Sequence, residues 1–196
     1  MKIYTRRGDD GTTGLLFGGH VDKSSVRTEA YGTTDEAVSA IGVARSLVPA
    51  ESEFAALLLR LPRELFVVGA ELATDRENAR KLTPGSTKVT SAMVDDLEAI
   101  IDLYVARGGL PQEFVVPGES TASACLDLAR TVVRRAERVV VGMDRAGILL
   151  DEQPLRYLNR LSDLLFVLAR HEEGGFRALH EDSEARRRRR GGVARD

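Results

Sequence analysis

One cysteine, Cys125, stands in a chain of 196 residues. A lone thiol excludes an intramolecular disulfide and any cysteine-based metal cluster, and it fits a cytoplasmic location. Long hydrophobic runs are missing too. No apolar stretch approaches the roughly 20 residues that a membrane helix needs, and Met1-Lys2-Ile3-Tyr4 lacks the apolar core of a secretory signal. The expectation is a protein with no membrane partner. Charge of one sign is not in excess either. The formal net charge is −2, which disfavours broad nucleic-acid binding driven by phosphate neutralisation. The histidines are only three, His20, His171 and His180, in loop or helix-end positions, and no convincing Ser-His-Asp or Cys-His set emerges.

What is present is 43% apolar content, enough at this length for one hydrophobic core. A single domain is expected over residues 1–180. From Glu181 the chain turns charged and poor in apolar residues, with five arginines at Arg186–Arg190, so 181–196 reads as a disordered tail.

Apolar residues at a period near 3.6 place the helices. The first is expected from Thr34 to Leu47, with Thr33 or Thr34 as its cap and Asp35 and Glu36 near its positive end. The second covers Glu51 to Thr74 with a kink at Pro62. Residues 75–88 lack periodicity and form a loop long enough to hint at function. A third helix, capped by Thr90 or Ser91, runs to Gly108-Gly109. A connector, Leu110 to Gly118, follows. The fourth helix starts at Ser120 or Thr121, and the fifth covers Pro154 to His171. Five helical patterns with little strand signal point to an all-α, up-and-down five-helix bundle.

The fourth helix carries Arg130, Arg134, Arg135 and Arg138 among apolar residues. At helical spacing Arg130, Arg134 and Arg138 form one stripe, flanked by Glu137. Such guanidinium forks suit phosphate or carboxylate. A network of salt bridges within or between subunits is the other reading, with Asp35 or Glu137 as partners. Residues 1–25 read as loop, and their Gly8-Asp9-Asp10-Gly11-Thr12-Thr13-Gly14 run could present successive N–H groups to an anion. Taken alone, such turns are common in loops that bind nothing. Lys23 is either a point charge for a phosphate or a plain surface lysine. On the fifth helix Asn159 and Asp163 share a face, as a structural network or as groups reading a nucleotide.

Four separated segments together resemble the PduO-type corrinoid adenosyltransferases: Tyr4–Thr13, Glu29–Glu36, Ala129–Arg138 and Tyr157–Asp163, within a likeness covering most of residues 3–170. The resemblance implies a homotrimeric five-helix bundle with ATP between adjacent subunits. It implies ATP contacts at Thr5, Arg6, Arg7, Gly8, Thr13, Gly14, Lys23, Arg134, Arg135, Ala136, Glu137, Arg138 and Asn159, with Mg²⁺ carried mainly by the phosphates. Arg130 is implied to pair with Asp35 across subunits. Phe114 is implied to lie beneath the corrin and exclude the lower nitrogen ligand of cobalt. Two positions depart from the family pattern: Glu119 replaces the second glycine of a Pro-Gly-Gly run, and Asp10 stands where many members have lysine.

The implied reaction is attack by Co(I) of cob(I)alamin on the 5′-carbon of ATP with release of triphosphate. It needs alignment and charge stabilisation rather than a protein base. A corrinoid reductase would supply the electron, and an adenosylcobalamin-dependent enzyme would take the product. A trimeric chaperone or sensor that holds ATP and cobalamin without efficient turnover is the alternative, and a purely structural bundle with intersubunit Arg–Asp pairs is a third.

Overall fold

The computed structural model describes residues 4, 6, 8–174 and 177–179. The expected tail from 181 lies outside them. A short antiparallel hairpin, β1 (Thr12–Gly14) and β2 (His20–Asp22), precedes α1 (Val26–Ser46) and α2 (Glu53–Leu72). After a 3₁₀ turn at Ala79–Lys81 come α3 (Ser91–Gly108), β3 (Val115–Val116), α4 (Thr121–Arg145), α5 (Gln153–Glu173) and β4 (Arg177–Ala178). β3 and β4 pair antiparallel, so a two-residue ribbon closes the connector before α4.

The helices form the expected five-helix bundle. Neighbours run α2, α1, α4, α5, α3, with α2 also touching α5. The inward faces follow alternating steps of three and four. On α4 these are Leu126, Ala129, Val133, Ala136, Val140 and Met143, and on α5 Leu158, Leu161, Leu165 and Leu168, all fully buried. On α2 the same spacing carries Leu58, Leu61, Leu65, Val68 and Leu72. No described helix is long and apolar enough to cross a membrane.

Several boundaries differ from expectation for identifiable reasons. α1 begins at Val26, not Thr34, because Ser25 caps it by accepting from the Thr28 amide. Thr33 and Thr34 are buried inside the helix instead, their hydroxyls donating to the carbonyls of Glu29 and Tyr31. Burial of Ala30 and Arg27 stabilises this extra length against weak local propensity. Arg27 donates to three main-chain carbonyls, Leu72 at 2.6 Å, Thr74 at 2.7 Å and Ile148 at 3.1 Å, which ties α1 to the ends of α2 and α4. α2 stays continuous through Pro62. The N-terminal segment is a hairpin rather than plain loop, since three-residue strands among glycines are too short for alternation to register.

α4 starts with a capping box in which Ser120 and Ser123 satisfy each other's amides. Gly109 and Gly174 adopt positive φ after α3 and α5, as helix-terminating glycines do.

Candidate active site

The arginines of α4 separate by direction. Arg130 is half-buried, and its Nε donates to Asp127 Oδ1 at 2.9 Å. Asp127 is itself buried and accepts on Oδ2 from Arg170 Nη2 at 2.5 Å, while Arg170 also bonds Glu173. This four-residue network holds two positive and two negative side chains in low-dielectric surroundings, where loss of one partner would leave another uncompensated. Arg134 is exposed one turn along. Arg135 points elsewhere and pairs with Glu36 of α1. Arg138 donates to the Arg134 carbonyl at 3.0 Å. Ala136, expected at the nucleotide, is fully buried in the core, because its position falls on the inward seam of α4. Its side chain cannot meet a ligand.

Arg130 and Arg134 face a cavity of about 990 Å³ between α3, the connector, α4 and α5. Ile101, Leu110, Phe114, Val115, Phe166 and Val167 supply its apolar walls. Phe114 is 84% exposed there, held by a connector that the β3–β4 ribbon and the 2.7 Å bond from the Leu179 amide to the Phe114 carbonyl fix in place. Such exposure of a large ring marks a binding surface rather than core. At the far side of that connector Glu119 accepts from Arg177 Nε at 2.9 Å, so this departure from the family pattern ties the connector to β4.

A second cavity of about 510 Å³ shares Glu98 and Arg160 with the first. Along its wall, Asn159 Nδ2 donates to Glu137 Oε1 at 3.0 Å, and Arg160 donates to both Asn159 Oδ1 and Glu98. Glu137 therefore orients Asn159 rather than the arginines. Asp163 lines the large cavity beside Arg160.

The hairpin forms a separate group. Lys23 Nζ donates to the Gly8 carbonyl at 2.5 Å, and a side chain at Gly8 would come within 3.0 Å of that ammonium. Asp10 accepts from the Thr12 amide and hydroxyl, which hold its carboxyl below the usual range. Thr13 and Gly14 lie in β1, and Arg6 is exposed. Thr5 and Arg7 lie outside the described residues. Among the described residues, no hydrogen bond joins the hairpin to Arg134 or Asn159. Asp35 likewise lines a different cavity, about 400 Å³ between α1 and α2, away from Arg130.

The sequence matches the cobalamin adenosyltransferase family over residues 3–172. The chain belongs to that family. Corrinoid adenosyltransferases from Citrobacter freundii and Bacillus subtilis strain 168 are 44% and 43% identical, the matches covering 88% and 87% of this chain and 95% and 86% of theirs. Among solved structures, a phenylalanine-to-histidine variant of the PduO-type ATP:corrinoid adenosyltransferase from Lactobacillus reuteri, complexed with cobalamin and ATP, superposes with a TM-score of 0.82. It is 30% identical, and the match covers 92% of this chain and 97% of that one. An arginine-to-lysine variant of the same protein, complexed with ATP, has a TM-score of 0.80 at 29% identity, covering 91% of this chain and 100% of that one.

Within this adenosyltransferase bundle, Asp127, Arg170 and Glu173 escaped sequence reasoning. The available signal was Asp127 itself, an acid on the apolar face of α4 one turn before Arg130.

Proposed function

We infer that this protein transfers the 5′-deoxyadenosyl group of ATP to Co(I) of cob(I)alamin or a related corrinoid and releases triphosphate. The observation that carries this reading is the cavity of about 990 Å³ whose lining joins an exposed Phe114 with Arg130 and Arg134. It combines a broad apolar wall for a macrocycle with fixed positive charge for a polyphosphate.

Co(I) supplies the electron pair that forms the Co–C bond, and the C5′–O bond breaks with its electrons leaving on triphosphate. No protein base takes part. The chain's work is to align carbon with cobalt and to stabilise the leaving charge. Arg134 and the hairpin groups at Gly8, Thr13, Gly14 and Lys23 serve the triphosphate, and Asn159, oriented by Glu137, serves the nucleoside. Mg²⁺, carried mainly by the ATP phosphates, would add to that stabilisation. Phe114 keeps the lower face of cobalt apolar and excludes the nitrogen ligand, which eases reduction of cob(II)alamin by an outside reductase.

The protein assembles as a homotrimer. Support comes from the separation of its groups within one chain: Asp35 and Arg130 line different cavities, and the hairpin has no bond to α4 arginines among the described residues. A site built from two subunits brings such groups together. A cytoplasmic location belongs to the same reading.

The deciding assay follows chemically reduced cobalamin and MgATP by absorbance, with triphosphate measured as co-product. Equimolar adenosylcobalamin and triphosphate are expected. Tight binding of both ligands without triphosphate release would instead establish a chaperone.

A further inference from the structure

The hairpin assigned to the triphosphate has an unusual tip. Phe17, Gly18 and Gly19 take φ of 66°, 110° and 91°, three consecutive residues on the left-handed side of backbone space. Glycine tolerates this readily, whereas a bulky aromatic residue does so only when its surroundings over-determine it. Those surroundings lie in the loop at 75–82, within the segment 73–90 that joins α2 to α3 and is too long for a simple connection.

Each contact from that loop falls on a main-chain group of the tip. Lys81 Nζ donates to the Phe17 carbonyl at 3.1 Å. Asn78 Nδ2 reaches the Gly18 carbonyl at 3.5 Å, and its amide is aimed by Asp75, whose Oδ1 accepts from both the backbone N–H and Nδ2 of Asn78 at 2.9 Å. Asp75 Oδ2 closes against Gly19 so tightly that a Cβ there would stand 2.8 Å away. Just before the loop, the Ala73 carbonyl accepts from the Leu16 amide at 2.9 Å. The tip is thus gripped at Leu16, Phe17, Gly18 and Gly19 in turn. Leu15 and Gly19 then join in the bond that continues into the β1–β2 ladder, through Gly14–His20 and on to Thr12–Asp22, beside Lys23 and its bond to Gly8.

We propose that Lys81 and Asn78, aimed by Asp75, are positioning residues for the adenosyl transfer: they fix the strained Phe17–Gly19 turn and so set the register in which the hairpin presents Gly8, Thr13, Gly14 and Lys23 to the triphosphate of ATP. This rests on the reading of the hairpin as the triphosphate site. Neither residue touches ATP. Their effect is confined to one substrate, because the corrin cavity is lined from α3, the connector, α4 and α5 and shares no residue with the 75–82 loop.

The experiment uses the full-length chain, chemically reduced cobalamin and MgATP. Lys81→Met keeps the stem and removes the donor, Asn78→Ala removes the amide, and the double variant removes both. The double variant is expected to raise KM for ATP on the order of tenfold and to lower kcat several-fold, while KM for cobalamin stays within about twofold. Its melting temperature is expected to stay within about 2 °C of the parent. Lys81→Arg, which keeps a donor, should recover most of the ATP affinity in the single-site series. An unchanged KM for ATP in the double variant overturns the proposal, as does an equal rise in both KM values with a lowered melting temperature, the mark of general loosening. Lys23→Met separates the underlying reading. If it raises KM for ATP while the loop variants do not, the brace alone fails. If Lys23→Met also leaves KM for ATP unchanged, the hairpin is not the triphosphate site and the proposal falls with it.

Discussion

Arg134 is the exposed arginine of α4 that faces the large cavity without a side-chain partner among the described residues, while Arg130 and Arg135 are engaged with Asp127 and Glu36. A guanidinium left free beside a cavity is available to a leaving group whose charge grows during reaction. Arg134→Ala should therefore lower turnover on the order of 100-fold with little change in thermal stability. Steady-state rates with reduced cobalamin and saturating ATP check this, and near-normal turnover would remove Arg134 from the site. A different behaviour belongs to Glu71, buried in α2 with Oε2 accepting from the Val89 amide at 2.7 Å and Oε1 lacking a partner among the described residues. Burial is the main cause that pushes its carboxyl up to about 7 from 4.5, with Asp151 adding and the Val89 amide and Lys88 opposing. The native state then keeps a proton that the unfolded chain has released, so stability from this group is full below pH 4.5 and is lost as pH rises through about 7. Glu71→Gln should remove that slope and gain about 1–3 kcal/mol at pH 8. Urea titrations of both proteins at pH 5 and 8 test it, and parallel losses would sink the idea.

At the scale of elements, helices with a clean apolar seam were legible. The positions of α2, α3 and α5 agree with their sequence periodicity to within a few residues, since burial and periodicity coincide there. α1 was readable only in part. Its first half holds Thr28, Tyr31, Gly32, Thr33 and Thr34, poor helix formers whose helical state is secured by the burial of Arg27, Ala30, Thr33 and Thr34, a tertiary effect no window of sequence contains. The site divided in the same way. Arg130, Arg134 and Phe114, which line one cavity, are marked in the sequence by charge on an apolar helix and by a resemblance, but the inward direction of Ala136 and the pairing of Arg135 with Glu36 depend on how α4 rotates against α1. The earlier start of α1 has a direct check. Ser25→Ala should cost about 1 kcal/mol if Ser25 is the cap, by chemical denaturation, whereas a helix starting near Thr34 would leave stability unchanged.

For the whole molecule, the separation of Asp35 from Arg130 becomes an assembly question. If that pair forms across subunits, Asp35→Ala should weaken association on the order of tenfold or more and shift the sedimentation profile to smaller species on dilution. An unaltered profile together with unaltered activity would assign Asp35 to the surface. The bundle itself should survive, because Asp35 takes no part in the core and its side chain makes no intrachain ion pair among the described residues.

Arg27 gives this architecture an asymmetry of tolerance. Its three acceptors are main-chain carbonyls of Leu72, Thr74 and Ile148, which every amino acid supplies. As far as these bonds are concerned, positions 72, 74 and 148 are free to drift, and the whole constraint falls on one codon. A lysine there would offer one ammonium where a planar fork now bridges two separate segments of chain. Drift where α1, the end of α2 and the end of α4 meet is thereby decoupled from their geometry, and a single side chain carries the memory of how these segments meet.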